Sequence, residues 1–215
     1  MQNKRLVILS YGFGLGEVFG HLFDEVLKIA PYKFIELKEG DTLLFEGGAD
    51  INTHFYDEEA NSFTGYFDKA RDAVESSYFK KAVSLGIPMI GICRGAQLAC
   101  ALSGGKLVQH VSGHTVNHPV INNEGLRYNV TSAHHQMMDA RGVEHNLLAW
   151  VEEPISNNYY GENDLRLNIE VEPEIIWFPT TKSLAIQGHP EWADSNSTFV
   201  KECCKYVEQF ILGEE

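Results

Sequence analysis

Apolar and polar positions along this chain switch between two periods, and each switch marks an element. Residues 5–9 are a short apolar run of the kind that forms a buried strand. Gly12, Gly14 and Gly16 then turn the chain into residues 17–30, which read as helix. Residues 33–37 and 42–45 read as strands. Over 69–85, Ala70, Ala73, Val74, Phe79, Ala82 and Val83 recur close to a 3.6-residue period, and Gly86 supplies the stop. Residues 88–92 are another short apolar strand, followed by a small-residue helix over 94–102 that ends before Gly104 and Gly105. The second half is richer in strand-like pieces, at 106–109, 127–131, 147–151, 174–178 and 183–187. The polar stretch 155–168 reads as a surface excursion. Residues 195–212 read as an amphipathic helix with Phe199, Val200, Cys203, Tyr206, Val207 and Phe210 on one face. Strands alternating with helices predict βαβ units, hence an α/β fold with a mostly parallel sheet and helices on both faces.

The 215 residues contain no internal repeat and no Pro/Gly/Ser-rich linker, so residues 1–215 are expected to form a single domain. Seventeen Lys and Arg against 30 Asp and Glu leave a formal charge of −13, which repels phosphate backbones; nucleic acid and anionic membrane are not expected partners. No apolar run approaches the roughly 18 residues of a membrane span. The run Leu6 to Leu9 is too short for a signal peptide and reads as the first strand. Four cysteines in a chain read as unexported predict reduced thiols and a cytoplasmic location. Cys203 and Cys204, adjacent on the last helix, are expected as one buried and one peripheral thiol, because a vicinal disulfide is strained there.

The most informative segment is PMIGICRGAQLA. It places Gly91-Ile92-Cys93-Arg94-Gly95 between a strand and a helix, as a nucleophile elbow requires: a sharp, strained turn with small residues two positions to either side. The helix that follows aims unpaired N–H groups and the positive end of its dipole at the sulfur. The Arg94 N–H is placed to help hold an oxyanion. A cysteine nucleophile needs a histidine to move its proton and an acid to orient that histidine. In AIQGHPEW, His189 follows a predicted strand, and Glu191 lies two residues on, facing the same way in extended chain. Pro190 between them fixes φ and offers no competing donor. Phe45-Glu46-Gly47-Gly48-Ala49-Asp50 also follows a strand, and its two glycines let backbone approach a reacting carbonyl. With the Arg94 N–H, this loop completes a two-donor oxyanion hole, worth about 3 kcal/mol per donor.

His134 and His135, in TSAHHQM, are expected to shape the pocket rather than act as base, since no acid lies within three residues of either. His110, His114 and His118 have the four-residue spacing of a helical metal face. Gly113, Pro119 and the β-branched residues around them argue against helix, and no CxxC or HExxH pattern is present; no metal or cofactor is expected. Gly12, Gly14 and Gly16 do not have dinucleotide-binding spacing. The aromatics Phe55, Tyr56, Phe63, Tyr66 and Phe67 form either a wall over the pocket or ordinary core.

In their order, the Gly47–Gly48 loop, the elbow GICRGAQ, the following GGKL turn, the SAHHQ segment and the closing QGHPE resemble the class I glutamine amidotransferases over most of the chain. The resemblance implies a flavodoxin-like three-layer sandwich and a Cys93–His189–Glu191 triad. It further implies an oxyanion hole from Arg94 and Gly48 or Gly47, and a γ-glutamyl pocket lined by Gln97, His135 and Gln136. The GGADIN loop, Arg71, Asp72 and Glu75 of ARDAVE, the CRG elbow and HHQ look most like the branch that hydrolyses γ-glutamyl amines, including γ-glutamyl-γ-aminobutyrate hydrolases. Gly188 stands where that branch often has an aromatic residue. The implied activity is hydrolysis of the γ-glutamyl amide of glutamine or a γ-glutamyl amine through a thioester. The alternatives are a glutaminase subunit delivering ammonia to a separate synthetase, and a non-catalytic binding protein on the same fold. The expected partners are accordingly a small γ-glutamyl substrate and a synthetase or amide-acceptor protein, with a homodimer left open.

Overall fold

A computed structural model describes residues 4–12, 14–30 and 33–213. In chain order the strands are β1 (Arg5–Leu9), β2 (Glu25–Ile29), β3 (Asp41–Phe45), β4 (Met89–Ile92), β5 (Lys106–Val108), β6 (His110–Val111), β7 (His118–Asn122), β8 (Arg127–Val130), β9 (Met137–Asp139), β10 (Asn146–Val151), β11 (Tyr159–Tyr160), β12 (Glu172–Phe178) and β13 (Ser183–Ile186). The α-helices are α1 (Lys69–Leu85), α2 (Arg94–Leu102) and α3 (Thr198–Tyr206), the last running on into a π-helical segment, Val207–Leu212.

Nine strands form one sheet in the order β2-β1-β3-β4-β13-β12-β10-β7-β8. From β2 to β13 every pairing is parallel, and from β13 to β8 every pairing is antiparallel, so only β12 and β7 run against the other seven. Side-chain alternation on the parallel strands builds the three layers. Val7, Leu9, Leu43, Phe45 and Met89 face a core shared with α1 and α2. Leu6, Ile8, Leu44, Ile90 and Ile92 face a second core, closed by Phe19, α3 and Val207. No helix among the described residues is long and apolar enough to cross a membrane.

Three sequence expectations are corrected. Residues 17–30 are not one helix: a 3-10 segment, Leu15–Leu22, ends at extended Phe23, and Glu25–Ile29 becomes the edge strand beside β1. Gly20 weakens the helical preference of the segment, which ends at Leu22, and the ladder to β1 outweighs what remains. Residues 33–37 are not a strand, because β2 already occupies that sheet edge; there Leu37 packs into the core and the Ile35 N–H donates to Tyr78 Oη at 2.9 Å. Helix α1 spans the expected residues, started by Asp68 accepting from the N–H groups of Ala70 and Arg71 and stopped by left-handed Gly86, but it buries a different face. Ala70, Ala73 and Val83 are exposed, whereas Arg71, Asp72, Glu75, Ser76, Tyr78, Phe79 and Ala82 are buried. The polar half of that face is occupied by charges serving the elbow. The excursion 155–168 carries β11, which pairs with β6.

Candidate active site

Three adjacent parallel strands, β3, β4 and β13, send their C-terminal ends to one place, the edge where open α/β sheets hold ligands. Gly47–Gly48 leaves β3, Cys93 leaves β4, and His189 follows β13 by three residues. Ile92 pairs with Ile186, so the cysteine and the histidine emerge side by side although 96 positions separate them in sequence.

Cys93 sits at φ 51° and ψ −106°, a conformation that costs a non-glycine residue about 1–3 kcal/mol. Its surroundings hold it there. The Cys93 N–H donates to the Ile186 carbonyl at 2.8 Å, and its carbonyl accepts the Gln97 N–H at 3.0 Å to start α2. The flanking glycines are sterically required: a Cβ on Gly91 would lie 2.3 Å from the Gly95 carbonyl oxygen, and one on Gly95 2.2 Å from that of Phe45. A larger residue at Gly95 would pry the elbow off β3, and one at Gly91 would push the start of α2 away from β4. Cys93 as a whole is 7% exposed.

The Arg94 side chain turns away from Cys93, leaving its backbone at the head of α2. The buried guanidinium pairs with Asp72 at 2.5 Å and with Glu75. Burial works against its charge, but the two carboxylates reverse the effect and raise its pKa. Arg71 pairs with Glu75 at 2.9 Å, donates to the Glu46 carbonyl at 2.8 Å and lies over the Tyr11 ring at 4.0 Å. Two arginines and two acids thus bind α1 to the elbow and to the end of β3. They also set the Gly-Gly loop: Gly48 has φ +146°, and a Cβ there would lie 2.4 Å from an Arg71 guanidinium nitrogen and 3.6 Å from Arg94 Cδ. The two backbone segments expected to form the oxyanion hole are therefore neighbours.

His189 is 4% exposed and its Nδ1 lies 2.6 Å from Glu191 Oε1. Burial alone would lower its pKa; hydrogen bonds to Cys93 and Glu191 outweigh burial and raise it to about 9. Its N–H donates to the Thr131 carbonyl at 2.7 Å, and the hydroxyl of Thr131 donates back to the His189 carbonyl. Trp192 stacks on the imidazole at 3.6 Å between centroids and 7° between planes. Sequence reasoning missed this residue, although its place three after the histidine, in the turn that carries Glu191, was available as a signal. At Gly188 a Cβ would lie 3.0 Å from both the Phe199 ring and the Thr131 carbonyl oxygen, so neighbouring elements fill the space an aromatic side chain would need.

Gln97 and Gln136 are brought together: Gln97 Nε2 donates to the Gln136 carbonyl at 3.0 Å, and both are buried. His135 is half-buried and bonds Asp50 Oδ1 at 3.0 Å. The carboxylate raises the His135 pKa, with burial opposing. Asp50 also accepts the Gly65 N–H at 2.7 Å, tying the Gly-Gly loop to the segment before α1. The His135–Asp50 pairing spans 85 positions and left no local signal. Of the five aromatics, Tyr56 is core and Tyr66 is exposed, while Phe63 stacks on His110 at 4.1 Å and on Tyr160 at 5.4 Å. His110 thus joins an aromatic wall, apart from His114 and His118. Cys100, Cys203 and Cys204 are free thiols, with Cys203 buried and Cys204 partly exposed.

Comparison with known proteins bears on the family and the fold. Residues 35–148 match the Peptidase C26 family. A candidate glutamine amidotransferase-like protein, YvdE of Lactococcus lactis, is 28% identical over 194 residues, covering 80% of this chain and 74% of that protein. A glutamine amidotransferase from Thermotoga maritima superposes with a TM-score of 0.62 at 12% identity, over 99% of this chain and 90% of that one. A candidate GMP synthase subunit from Thermoplasma acidophilum gives a TM-score of 0.65 at 15% identity, over 99% of this chain and 96% of that one. The fold is that of the class I glutamine amidotransferases, and the chain is a member of the Peptidase C26 family within the class I glutamine amidotransferase-like proteins.

Proposed function

We propose that the protein hydrolyses the γ-glutamyl amide bond of glutamine or of a γ-glutamyl amine, with Cys93 as nucleophile, His189 as acid and base, and Glu191 as its orienting acid. The observation that carries this reading is the strained Cys93 elbow at the end of β4, with the buried His189–Glu191 pair leaving the adjacent strand β13. With Glu191 occupying Nδ1, the other ring nitrogen is free to exchange a proton with sulfur.

The chemistry follows. Cys93 gives its proton to His189, and the thiolate attacks the amide carbon while the carbonyl electrons move to oxygen. The N–H groups of Arg94 and of Gly48, or its neighbour Gly47, receive that oxyanion. Collapse breaks the C–N bond as His189 protonates the departing nitrogen, leaving a glutamyl thioester. Water then gives a proton to His189 and attacks the thioester; the C–S bond breaks, glutamate leaves, and the sulfur recovers its proton. Gln97, His135 and Gln136 are assigned to hold the α-amino and α-carboxylate ends of the glutamyl group.

Two variants of this reading differ in where the nitrogen goes. A stand-alone hydrolase of γ-glutamyl amines is favoured by the GGADIN, CRG and HHQ segments. An ammonia-delivering component of a synthetase is favoured by the fold shared with a candidate GMP synthase subunit. Glutamate release by the purified protein from glutamine and a panel of γ-glutamyl amines, with Cys93→Ala as control, tests the reading. Turnover of an amine conjugate well above glutamine supports the hydrolase; weak turnover that rises when a synthetase is added supports ammonia delivery. Turnover equal to that of the Cys93→Ala protein on every substrate, with and without a partner, would sink both.

A further inference from the structure

A second cluster of ionisable side chains lies buried beneath the segment that carries His135 and Gln136. It comprises His114 before β7, His118 at its start, His134 before β9, and Glu172 and Glu174 on one face of β12; all five are buried. Glu172 is well supplied with donors: the N–H groups of Ile155 and Ser156 at 2.9 Å each, and Tyr159 Oη at 2.7 Å. The side chain of Glu174 faces imidazoles. Its Oε1 lies 3.0 Å from His118 Nε2, 3.3 Å from His134 Nε2 and 3.4 Å from His114 Nδ1, while Oε2, fully buried, has no hydrogen-bond partner.

The hydrogens decide what this cluster can do. His134 Nδ1 lies 2.8 Å from the Gln136 carbonyl, and His118 Nδ1 lies 3.0 Å from the Val116 carbonyl. A carbonyl only accepts, so each Nδ1 carries the hydrogen, and each neutral ring leaves an Nε2 lone pair aimed at a carboxylate oxygen. His114 Nε2 points at Glu172 Oε2 from 3.3 Å; with its hydrogen there, its Nδ1 also presents a lone pair to Glu174. Neither ring nitrogen of fully buried His114 makes a hydrogen bond of acceptable geometry. Lone pairs converging on a carboxylate in a dry interior repel unless a cation lies among them.

We propose that His114 Nδ1, His134 Nε2 and the Glu174 carboxylate form a buried structural site for a divalent transition metal, with zinc the best fit. The ligating atoms all lie within 4.8 Å of one another. The two edges from Glu174 Oε1, 3.3 and 3.4 Å, match the roughly 3.3 Å between ligands of a tetrahedral zinc bonded at about 2.0–2.1 Å, and the set, which spans up to 4.8 Å, would draw in around the ion. His134 has its other nitrogen on a backbone carbonyl, the outer support a ligating histidine requires, and His114 Nε2 faces the Glu172 carboxylate at 3.3 Å. His118, with Nε2 3.0 Å from Glu174 Oε1, lies outside the ligand set. The Glu174 carboxylate fills one corner, since its two oxygens lie too close together to span a tetrahedral edge, and a water would complete the fourth. Two imidazoles and one carboxylate select zinc and its transition-metal neighbours over magnesium or calcium.

Local spacing could not reveal this set. His110 and His118, which share the four-residue interval with His114, are not ligands, while His134 and Glu174 come from distant elements. The site would fasten the segment leading to His135 and Gln136 onto β12, whose Glu174 carbonyl also accepts the Gln187 N–H, at 2.8 Å, two residues before His189. Without a cation, only protons shared among the imidazoles can balance the two buried carboxylates.

The test uses the full chain, stripped with a chelator and then dialysed against zinc or cobalt(II). The expected result is one metal per chain by elemental analysis, a thermal midpoint that rises with zinc, and visible cobalt bands of a tetrahedral site. Cys93→Ala should retain the metal, and His134→Gln should lose the cobalt bands. Folded wild-type protein that takes up no stoichiometric zinc or cobalt would overturn the proposal, leaving a proton-balanced cluster. Uptake lost in Cys93→Ala but kept in His134→Gln would also overturn it, moving the metal to the cysteine site. The wild-type arm needs no variant, so poor folding of His134→Gln does not blunt the test.

Discussion

Replacing Glu191 by glutamine removes a charge while keeping an oxygen able to accept the His189 Nδ1 hydrogen. The geometry at 2.6 Å is preserved and the electrostatics are not. In the intact protein, burial opposes the charged imidazole, but bonds to Cys93 and Glu191 raise its pKa to about 9. A hydrogen bond to a charged group contributes about 1.5–3 kcal/mol net, and one pKa unit is 1.36 kcal/mol, so loss of the charge should lower the His189 pKa by about 1–2 units. The thiolate–imidazolium pair needs that proton, so kcat/KM should fall on an alkaline limb near pH 9 in wild type and near about 7.5 in Glu191→Gln. At pH 8.5 the protonated fraction alone then costs about tenfold in rate. The assay is the pH profile of glutamate release for the two proteins, with circular dichroism to confirm equal folding. An alkaline limb that stays in place would refute the assignment of Glu191 as the group that raises His189.

Cys93→Ser should reduce glutamate release to background, because an alcohol is a poor substitute for a thiolate; activity within tenfold of wild type would contradict this. Arg94→Met leaves Asp72 and Glu75 buried with one cation fewer, and a broken buried pair of this kind costs about 3–5 kcal/mol, read as a drop in the denaturant midpoint. Gly95→Ala drives a methyl to 2.2 Å from the Phe45 carbonyl oxygen, so the elbow must open; soluble protein with full activity would show that the turn is not constrained as described. His189 also contributes to the pH dependence of stability. Its folded pKa, about 9, lies above the unfolded value near 6.5, so its contribution is complete below pH 6.5 and is lost as pH rises through 9. That loss, on the order of 3 kcal/mol, should be missing from His189→Ala when denaturation is compared at pH 6 and pH 9.5.

What the sequence disclosed was what depends on neighbours in the chain. The elbow is partly such a case: Gly91 is required by Gly95 and Ala96 within one strand–turn–helix unit, whereas Gly95 is required by Phe45 on the neighbouring strand. His189 and Glu191 also meet across two positions, though through the 3-10 turn Pro190–Trp192 and not through the extended chain expected. The order of strand, elbow, helix and closing strand also indicated the layers correctly. The misreadings share a different cause, since partners distant in sequence decided them. Residues 25–29 become strand because β1 offers an edge. The buried face of α1 is charged because Arg94, on another helix, needs Asp72 and Glu75. His135 finds Asp50 across 85 positions, and His114 and His134 meet Glu174 only once β7 and β12 lie in the same sheet.

The most direct test of the central claim is to catch the acyl-enzyme. The protein is mixed with a γ-glutamyl amide, quenched in acid during turnover and digested, and the Cys93 peptide is weighed. The account predicts a glutamyl mass on that peptide, labile to hydroxylamine and absent from the Cys93→Ala protein. Steady release of glutamate by the Cys93→Ala protein, with no acyl group on wild-type Cys93, would contradict it.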